Sequence, residues 1–205
     1  MNRLALCAVF LALLASGAVA KPASRARETD WRAIATPADK MRLHDWRATF
    51  VRALGNARTL GQGRAVAREG VLLNPDAALV APALQPGNYN CRLVKVGSRG
   101  SYALPFSARA AALCVVGSGS GYLTLVTPNG PQRANGNIYP NSDRRQIFLG
   151  TVALGDETRT LAYGIDATRN MAGALERIEL RRWRILLPDP AFESILDVIE
   201  LTPAE

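Results

Sequence analysis

The chain has 205 residues and a formal net charge of +8, a length that suits one domain with a sizeable hydrophobic core. Its 25 basic residues include only three lysines and form no long basic run, so an arginine-rich composition explains the charge and no nucleic-acid partner is expected. A single histidine and three cysteines exclude a zinc cluster, and neither a metal nor another cofactor is expected.

Residues 1–20 have the features of a secretory signal peptide. Arg3 supplies a positive charge, residues 4–17 are apolar, and Ala18-Val19-Ala20 forms a small-x-small cleavage site. The apolar run is shorter than the roughly 20 residues that a transmembrane helix needs. We therefore expect cleavage after Ala20 and export of the mature protein to the periplasm.

The mature chain is predicted to begin with a disordered leader and a helical segment. Residues 21–30 are polar and form the leader. In the helix that follows, Thr36 suits the cap position, Pro37 the first turn, and apolar residues recur at three- to four-residue spacing from Leu43 to Leu54. A weaker helix is predicted over 64–73. The prolines of 74–88 indicate a linker, which completes an N-terminal segment at 31–88.

Beyond residue 88 the pattern changes to short apolar runs separated by turn residues. This pattern predicts an antiparallel β domain over 89–205, as a barrel or a sandwich. The fold class is therefore α+β, predominantly antiparallel β, with an N-terminal helix packed on a small lipocalin-like or inhibitor-like meander. The candidate strands are 88–96, 111–116, 121–126, 135–139, 145–154, 159–164, 171–179 and 181–187.

Two cysteines, Cys91 and Cys114, remain after the predicted cleavage. An even pair in an exported chain favours a disulfide, because the compartment is oxidising. Closing a loop of this length stabilises a fold by about 3 kcal/mol.

Residues 191–200 are compatible with either a helix or a strand. On a helix, Glu193, Asp197 and Glu200 share one face, whereas on a strand only the first two do. The β-branched residues and the need to cover the edge of the sheet favour a final strand.

Several stretches in order resemble an exported bacterial family, the domain of unknown function numbered 4893. They are TDWRAIATPADKMRLHDWR, GNYNCRLVKVG, SDRRQIFLGTVALGDE, MAGALERI, RRWRILLPDP and FESILDVIELTP, and together they span roughly Asp30 to Pro203. The resemblance implies a signal peptide, an N-terminal helical portion and a compact β-rich portion. It implies no activity, cofactor or catalytic residue.

The candidate polar site consists of Asp143, Arg144, Arg145, Glu193 and Asp197. Arginines at the mouth of a strand can grip a carboxylate or phosphate, or they can form structural ion pairs with Glu193 or Asp197 at one end of the barrel. The second alternative is favoured. Carboxylates four residues apart on a strand are about 13 Å apart, too far to hold one metal ion without other ligands. With His44 as the only histidine, a nucleophilic triad has little support and no catalytic residue is predicted.

These features favour a non-enzymatic periplasmic module that binds a small ligand or an envelope protein. Aromatic residues on the strands can line a ligand cup, and a loop such as 97–110 can plug a partner. The alternative is a carboxylate-dependent hydrolase of the cell envelope that uses Glu193 or Asp197, with Arg145 stabilising charge.

Overall fold

The computed structural model describes residues 29–204. The predicted signal peptide and all but the last two residues of the predicted leader lie outside this range.

Short helices form the N-terminal portion. The predicted cap is present, since the Thr36 hydroxyl accepts a hydrogen bond from the Asp39 amide at 3.2 Å and Pro37 follows it. Asp45 interrupts the predicted helix and divides it in two. The helices are α1 (Trp31–Ile34), α2 (Pro37–His44), α3 (Trp46–Ala57) and α4 (Gly63–Arg68), with a π-type turn at Arg58–Gln62 and a 3₁₀ turn at Gly70–Leu73.

The rest of the described chain is an antiparallel β-barrel. Its strands are β1 (Gly87–Ser98), β2 (Phe106–Ala108), β3 (Ala112–Ser118), β4 (Leu123–Val126), β5 (Gln132–Tyr139), β6 (Gln146–Leu154), β7 (Asn170–Glu179), β8 (Arg182–Pro188) and β9 (Ser194–Pro203). Eight of these nine strands close into the barrel, because β9 pairs with β1, while β2 extends the sheet beside the end of β1. The predicted fold class is confirmed, and of its two architectures the barrel is present.

Alternation along the strands separates an inner apolar cluster from two clusters outside the barrel, a smaller one around Leu43 and Ile147 and a larger outer cluster around Phe50. The inner cluster includes Cys91, Phe148 and Ile199. The outer cluster joins the wall to the helices, where Phe50 and Ala53 of α3 pack against neighbours such as Val96 and Val198. The helices therefore cover one side of the barrel.

A pair of glycines allows β5 and β6 to approach closely. Gly136 and Gly150 are directly opposite each other in the register. A Cβ atom on Gly136 would lie 2.5 Å from the Gly150 Cα atom, too near for any side chain. The ring of Phe148 occupies the space on the inner face, since a Cβ atom on either glycine would lie 2.7 Å from it.

The disulfide and the final strand are both confirmed. Cys91 of β1 and Cys114 of β3 are bonded to each other, and both belong to the inner cluster. Residues 194–203 form β9 rather than a helix. The strand predicted at 159–164 is wrong, because these residues lie in the loop between β6 and β7. There the Tyr163 hydroxyl is bonded to the buried carboxylate of Asp39 instead of joining the sheet.

Candidate functional site

A cavity of about 230 Å³ occupies one end of the barrel interior. Its wall carries apolar side chains from several strands, among them Leu93, Met171, Leu187 and Ile199. Its rim is formed by the segments that join β2 to β3, β4 to β5, β6 to β7 and β8 to β9. The rim residues Asn129, Gly130 and Pro131 are exposed to solvent. This end of the barrel therefore faces solvent.

A buried ion pair lies in the wall of this cavity. Lys95 and Asp197 are 5% and 7% exposed, and the Lys95 Nζ atom is 3.1 Å from Asp197 Oδ2. The Ser194 hydroxyl donates a hydrogen bond to the same carboxylate. Burial raises the pKa of Asp197, although the lysine and the serine oppose that shift. Each charge is thus satisfied by its neighbours inside an otherwise apolar wall.

The sequence positions this pair through the strand register. Lys95 on β1 is directly opposite Asp197 on β9. Lys95 also has the same strand parity as Cys91 and Leu93, which face the inner cluster and the cavity. Glu193 precedes β9, remains largely exposed and places Oε2 3.4 Å from Lys95 Nζ. Glu193 and Asp197 therefore share one cationic partner.

The loop between β8 and β9 forms part of the rim and is held from several sides. The Asp189 carboxylate accepts hydrogen bonds at 2.7 Å from both Arg52 and Arg99, and one at 3.0 Å from the Thr49 hydroxyl. Asp189 and Glu193 have φ values of 47° and 64°, a backbone conformation that residues other than glycine adopt at a cost in free energy. The hydrogen bonds to Asp189 hold this strained loop in place at the rim of the cavity.

Arg145 lies on the other surface of the wall, away from Glu193 and Asp197. Its Nε atom is 2.5 Å from Glu176 Oε1, and its guanidinium stacks 4.2 Å above the Trp46 ring of α3. The predicted pairing of Arg145 with Glu193 or Asp197 is therefore wrong. Arg145 is held by Glu176 on the helical side of the wall and Asp197 faces the cavity, so the arrangement that the hydrolase hypothesis required is not formed.

Glu176 forms a second ion pair, with Arg184, that is fully buried beneath the helical segment. Arg184 is opposite Glu176 in the register of β7 and β8, and both side chains are 0% exposed. Arg184 also donates to the carbonyl oxygens of Leu72 and Asn74, at 2.7 and 2.8 Å. Desolvation lowers the pKa of Arg184, and Glu176 opposes this. The network ties the helical segment to the barrel.

The other two residues of the predicted polar site are at the surface. Asp143 and Arg144 are exposed, and Arg144 donates to the Ala78 carbonyl oxygen at 3.0 Å. Glu200 pairs on the outer wall with Arg92 and Arg182. Of the predicted polar site, only Glu193 and Asp197 come together.

Sequence reasoning missed Lys95, Glu176 and Arg184. Two signals in the strands point to them. Lys95 is a cation at the inward parity of Cys91 and Leu93, in a stretch that is otherwise apolar on that face. Glu176 and Arg184 are at similar distances from the turn at Leu180 and Arg181, so a hairpin brings them close together, and a β-bulge between Arg177 and Glu179 sets them directly opposite each other.

A third buried carboxylate, Asp39, links α2 to the loop between β6 and β7. It accepts hydrogen bonds from the Thr36 hydroxyl at 2.7 Å, from Arg42 and from the Tyr163 hydroxyl. Burial, followed by the hydrogen bond to Asp39, raises the pKa of Tyr163 to about 12. This contact holds α2, which carries Arg42 to the cavity wall, against the barrel.

No group of three or more His, Cys, Asp or Glu side chains within residues 29–204 is arranged to hold a metal ion. None of the helices in that range combines the length and apolar character that crossing a bilayer requires.

Comparison with known proteins identifies a family. No curated protein and no solved structure matches the sequence. A family model described as "Domain of unknown function" matches residues 31–201, which is most of the chain and includes the helical segment and the barrel. The chain therefore belongs to the Domain of unknown function (DUF4893) family.

Proposed function

We propose that this protein is an exported binding module that holds a small amphipathic molecule in its barrel. The cavity, with one buried ion pair in an apolar wall, carries this proposal. Ligand sites are typically concave and mostly apolar, with a few polar groups that orient the ligand. The apolar part of the ligand lies against Leu93, Met171 and Ile199, and its polar end lies towards the rim.

The size of the cavity limits the ligand. At about 230 Å³, the cavity is slightly smaller than the pockets of about 300–1,000 Å³ that hold drug-sized molecules. That corresponds to a short alkyl chain or one aromatic ring with a polar substituent.

The proposed compartment is the periplasm. The secretory features of residues 1–20 support export, and the bond between Cys91 and Cys114 fits an oxidising compartment. Detection of the mature protein beginning at Lys21 in periplasmic extract tests this, and accumulation of the full-length chain in the cytoplasm would contradict it.

Binding is tested with octan-1-ol, a neutral amphiphile of eight carbons. We expect it to shift the methyl NMR signals of Leu93, Met171 and Ile199 while leaving exposed methyl groups such as those of Leu104 unchanged. Replacing Val152, which lines the cavity, by phenylalanine fills the space and is expected to abolish these shifts.

The matched control is Val126→Phe, the same substitution on the outer surface of β4, where Val126 is 37% exposed and does not line the cavity. This variant is expected to bind octan-1-ol like the wild type. Equal binding by the Val152→Phe variant, or shifts confined to the outer surface, would refute the proposal.

A further inference from the structure

The side chains that line the cavity carry an excess of positive charge. Three cationic residues, Arg42, Lys95 and Arg109, contribute to the lining, against one carboxylate, Asp197. The charge that a ligand meets depends on which of these cations are already paired with a carboxylate.

Two of the three cations have carboxylate partners. Arg42 is paired with the buried Asp39, and its own side chain is largely shielded from solvent. Lys95 is paired with Asp197 and, at 3.4 Å, with Glu193. Neither of these two cations is therefore unpaired and available to a ligand in the cavity.

Arg109 is different. Within residues 29–204, its guanidinium forms no ion pair and donates no side-chain hydrogen bond, and the residue is half-buried. Its backbone is fixed, because the Arg109 amide donates at 3.0 Å to the carbonyl oxygen of Leu93, a residue of the cavity wall. An uncompensated guanidinium is thus held at the rim, next to an apolar chamber.

We propose, on the basis of the binding function above, that the ligand is a monocarboxylate amphiphile whose head is bound by Arg109. One uncompensated cation balances one negative charge, and the planar guanidinium matches a carboxylate through two parallel hydrogen bonds. The apolar body of the ligand enters the barrel and packs against the apolar wall. Neither a free inorganic anion nor a strongly polar ligand can form that contact. Arg109 is the residue that determines specificity, and the cavity supplies the remaining affinity.

Three probes with the same alkyl chain test this proposal: octanoate, octan-1-ol and octylammonium, titrated at neutral pH by calorimetry. We expect octanoate to bind more tightly than octylammonium. In the Arg109→Gln variant, octanoate affinity is expected to fall about tenfold, the effect of losing a charged hydrogen bond, while octan-1-ol affinity stays the same.

The control is Arg68→Gln, which makes the same change in net charge on the exposed surface of α4, outside the cavity lining. It is expected to leave all three affinities unchanged. Retained octan-1-ol binding also shows that the Arg109→Gln barrel is intact.

The possible failures are distinguishable. If octan-1-ol binds but octanoate binds no better than octylammonium, or if Arg109→Gln leaves octanoate affinity unchanged, the carboxylate inference is wrong and the binding function stands. Equal loss of octanoate and octan-1-ol in the Arg109→Gln variant gives Arg109 a structural role and also refutes the inference. If none of the three probes binds to the wild type, both proposals are wrong.

Discussion

Lys95 and Asp197 are 102 residues apart in sequence and directly opposite each other across the seam where β9 meets β1. Their side chains meet on the inner surface of the barrel, where both are buried. The same two strands carry Arg92 and Glu200, another opposed pair, on the outer surface. Complementary charges therefore face each other on both sides of the seam.

Removing one member of the inner pair is expected to destabilise the fold strongly. Lys95→Met leaves Asp197 buried without its cation, a change that typically costs about 3–5 kcal/mol. Removing both charges in Lys95→Met/Asp197→Leu is expected to cost much less than the sum of the two single substitutions. Urea unfolding of the four proteins measures this, and additive effects would show that the two charges do not interact.

The ion pairs of Glu176 with Arg145 and Arg184 are expected to contribute as much to stability as the pair of Lys95 and Asp197. Glu176→Gln leaves Arg145 and Arg184 without a charged acceptor, and we expect a loss of several kcal/mol in the free energy of unfolding. Arg145→Ala removes the more exposed partner and a stacking contact with Trp46, so its cost is expected to be smaller. Arg144→Ala, at the adjacent exposed position, is the control and is expected to change the melting temperature little. A Glu176→Gln protein as stable as the wild type would contradict this account.

Tyr163 is expected to make stability depend on pH in the alkaline range. Its pKa is raised from 10.0 to about 12, so the folded state holds the phenolic proton more tightly than the unfolded state. The resulting stabilisation is fully present below pH 10 and is lost as the pH rises towards 12.

The check is the difference in unfolding free energy between the wild type and Tyr163→Phe, measured from pH 8 to pH 12. That difference is expected to shrink above pH 10. Tyr102→Phe, at a fully exposed tyrosine, is expected to match the wild type throughout. A constant difference for Tyr163→Phe across the whole range would mean that burial and the Asp39 contact do not raise the pKa of Tyr163 in the folded state.

Loss of the bond between Cys91 and Cys114 is expected to lower stability by about 3 kcal/mol, because a loop of 23 residues is no longer closed in the unfolded chain. Unfolding with and without a thiol reductant measures this. The Cys91→Ala/Cys114→Ala variant is the reference, and its stability is expected to be insensitive to the reductant. A reductant effect of equal size on that variant would exclude the disulfide as the cause.

The architecture was largely predictable because it depends on local patterns. Each prediction that was confirmed needs only a few neighbouring residues: the helix cap at Thr36, the short apolar runs between turns, and the pair of cysteines. The strand at 159–164 was mispredicted because Tyr163 forms a contact outside the sheet. Tyr163 is bonded to Asp39, which lies more than a hundred residues earlier in the chain.

The candidate site was less predictable because it depends on register and on the direction of each side chain. Arg145 and Asp197 are both charged residues of the barrel wall, but they face opposite surfaces of it, and that difference decides their partners. The closing register between β1 and β9 sets Lys95 against Asp197, and nothing in either strand alone indicates where closure occurs. The importance of Arg109 depends on its having no side-chain partner among the described residues, which only the three-dimensional arrangement reveals.

The seam also has a consequence for how the chain folds. From β3 onwards, each strand pairs with its successor in sequence, so this part of the sheet can grow one hairpin at a time. Joining β9 to β1 instead closes a loop of about 100 residues, which carries the largest entropic cost of any strand pairing here. Because non-local pairing slows folding, we expect closure to limit the folding rate. Substitutions in β1 and β9 are then expected to alter folding kinetics more than equally destabilising substitutions in β4 and β5.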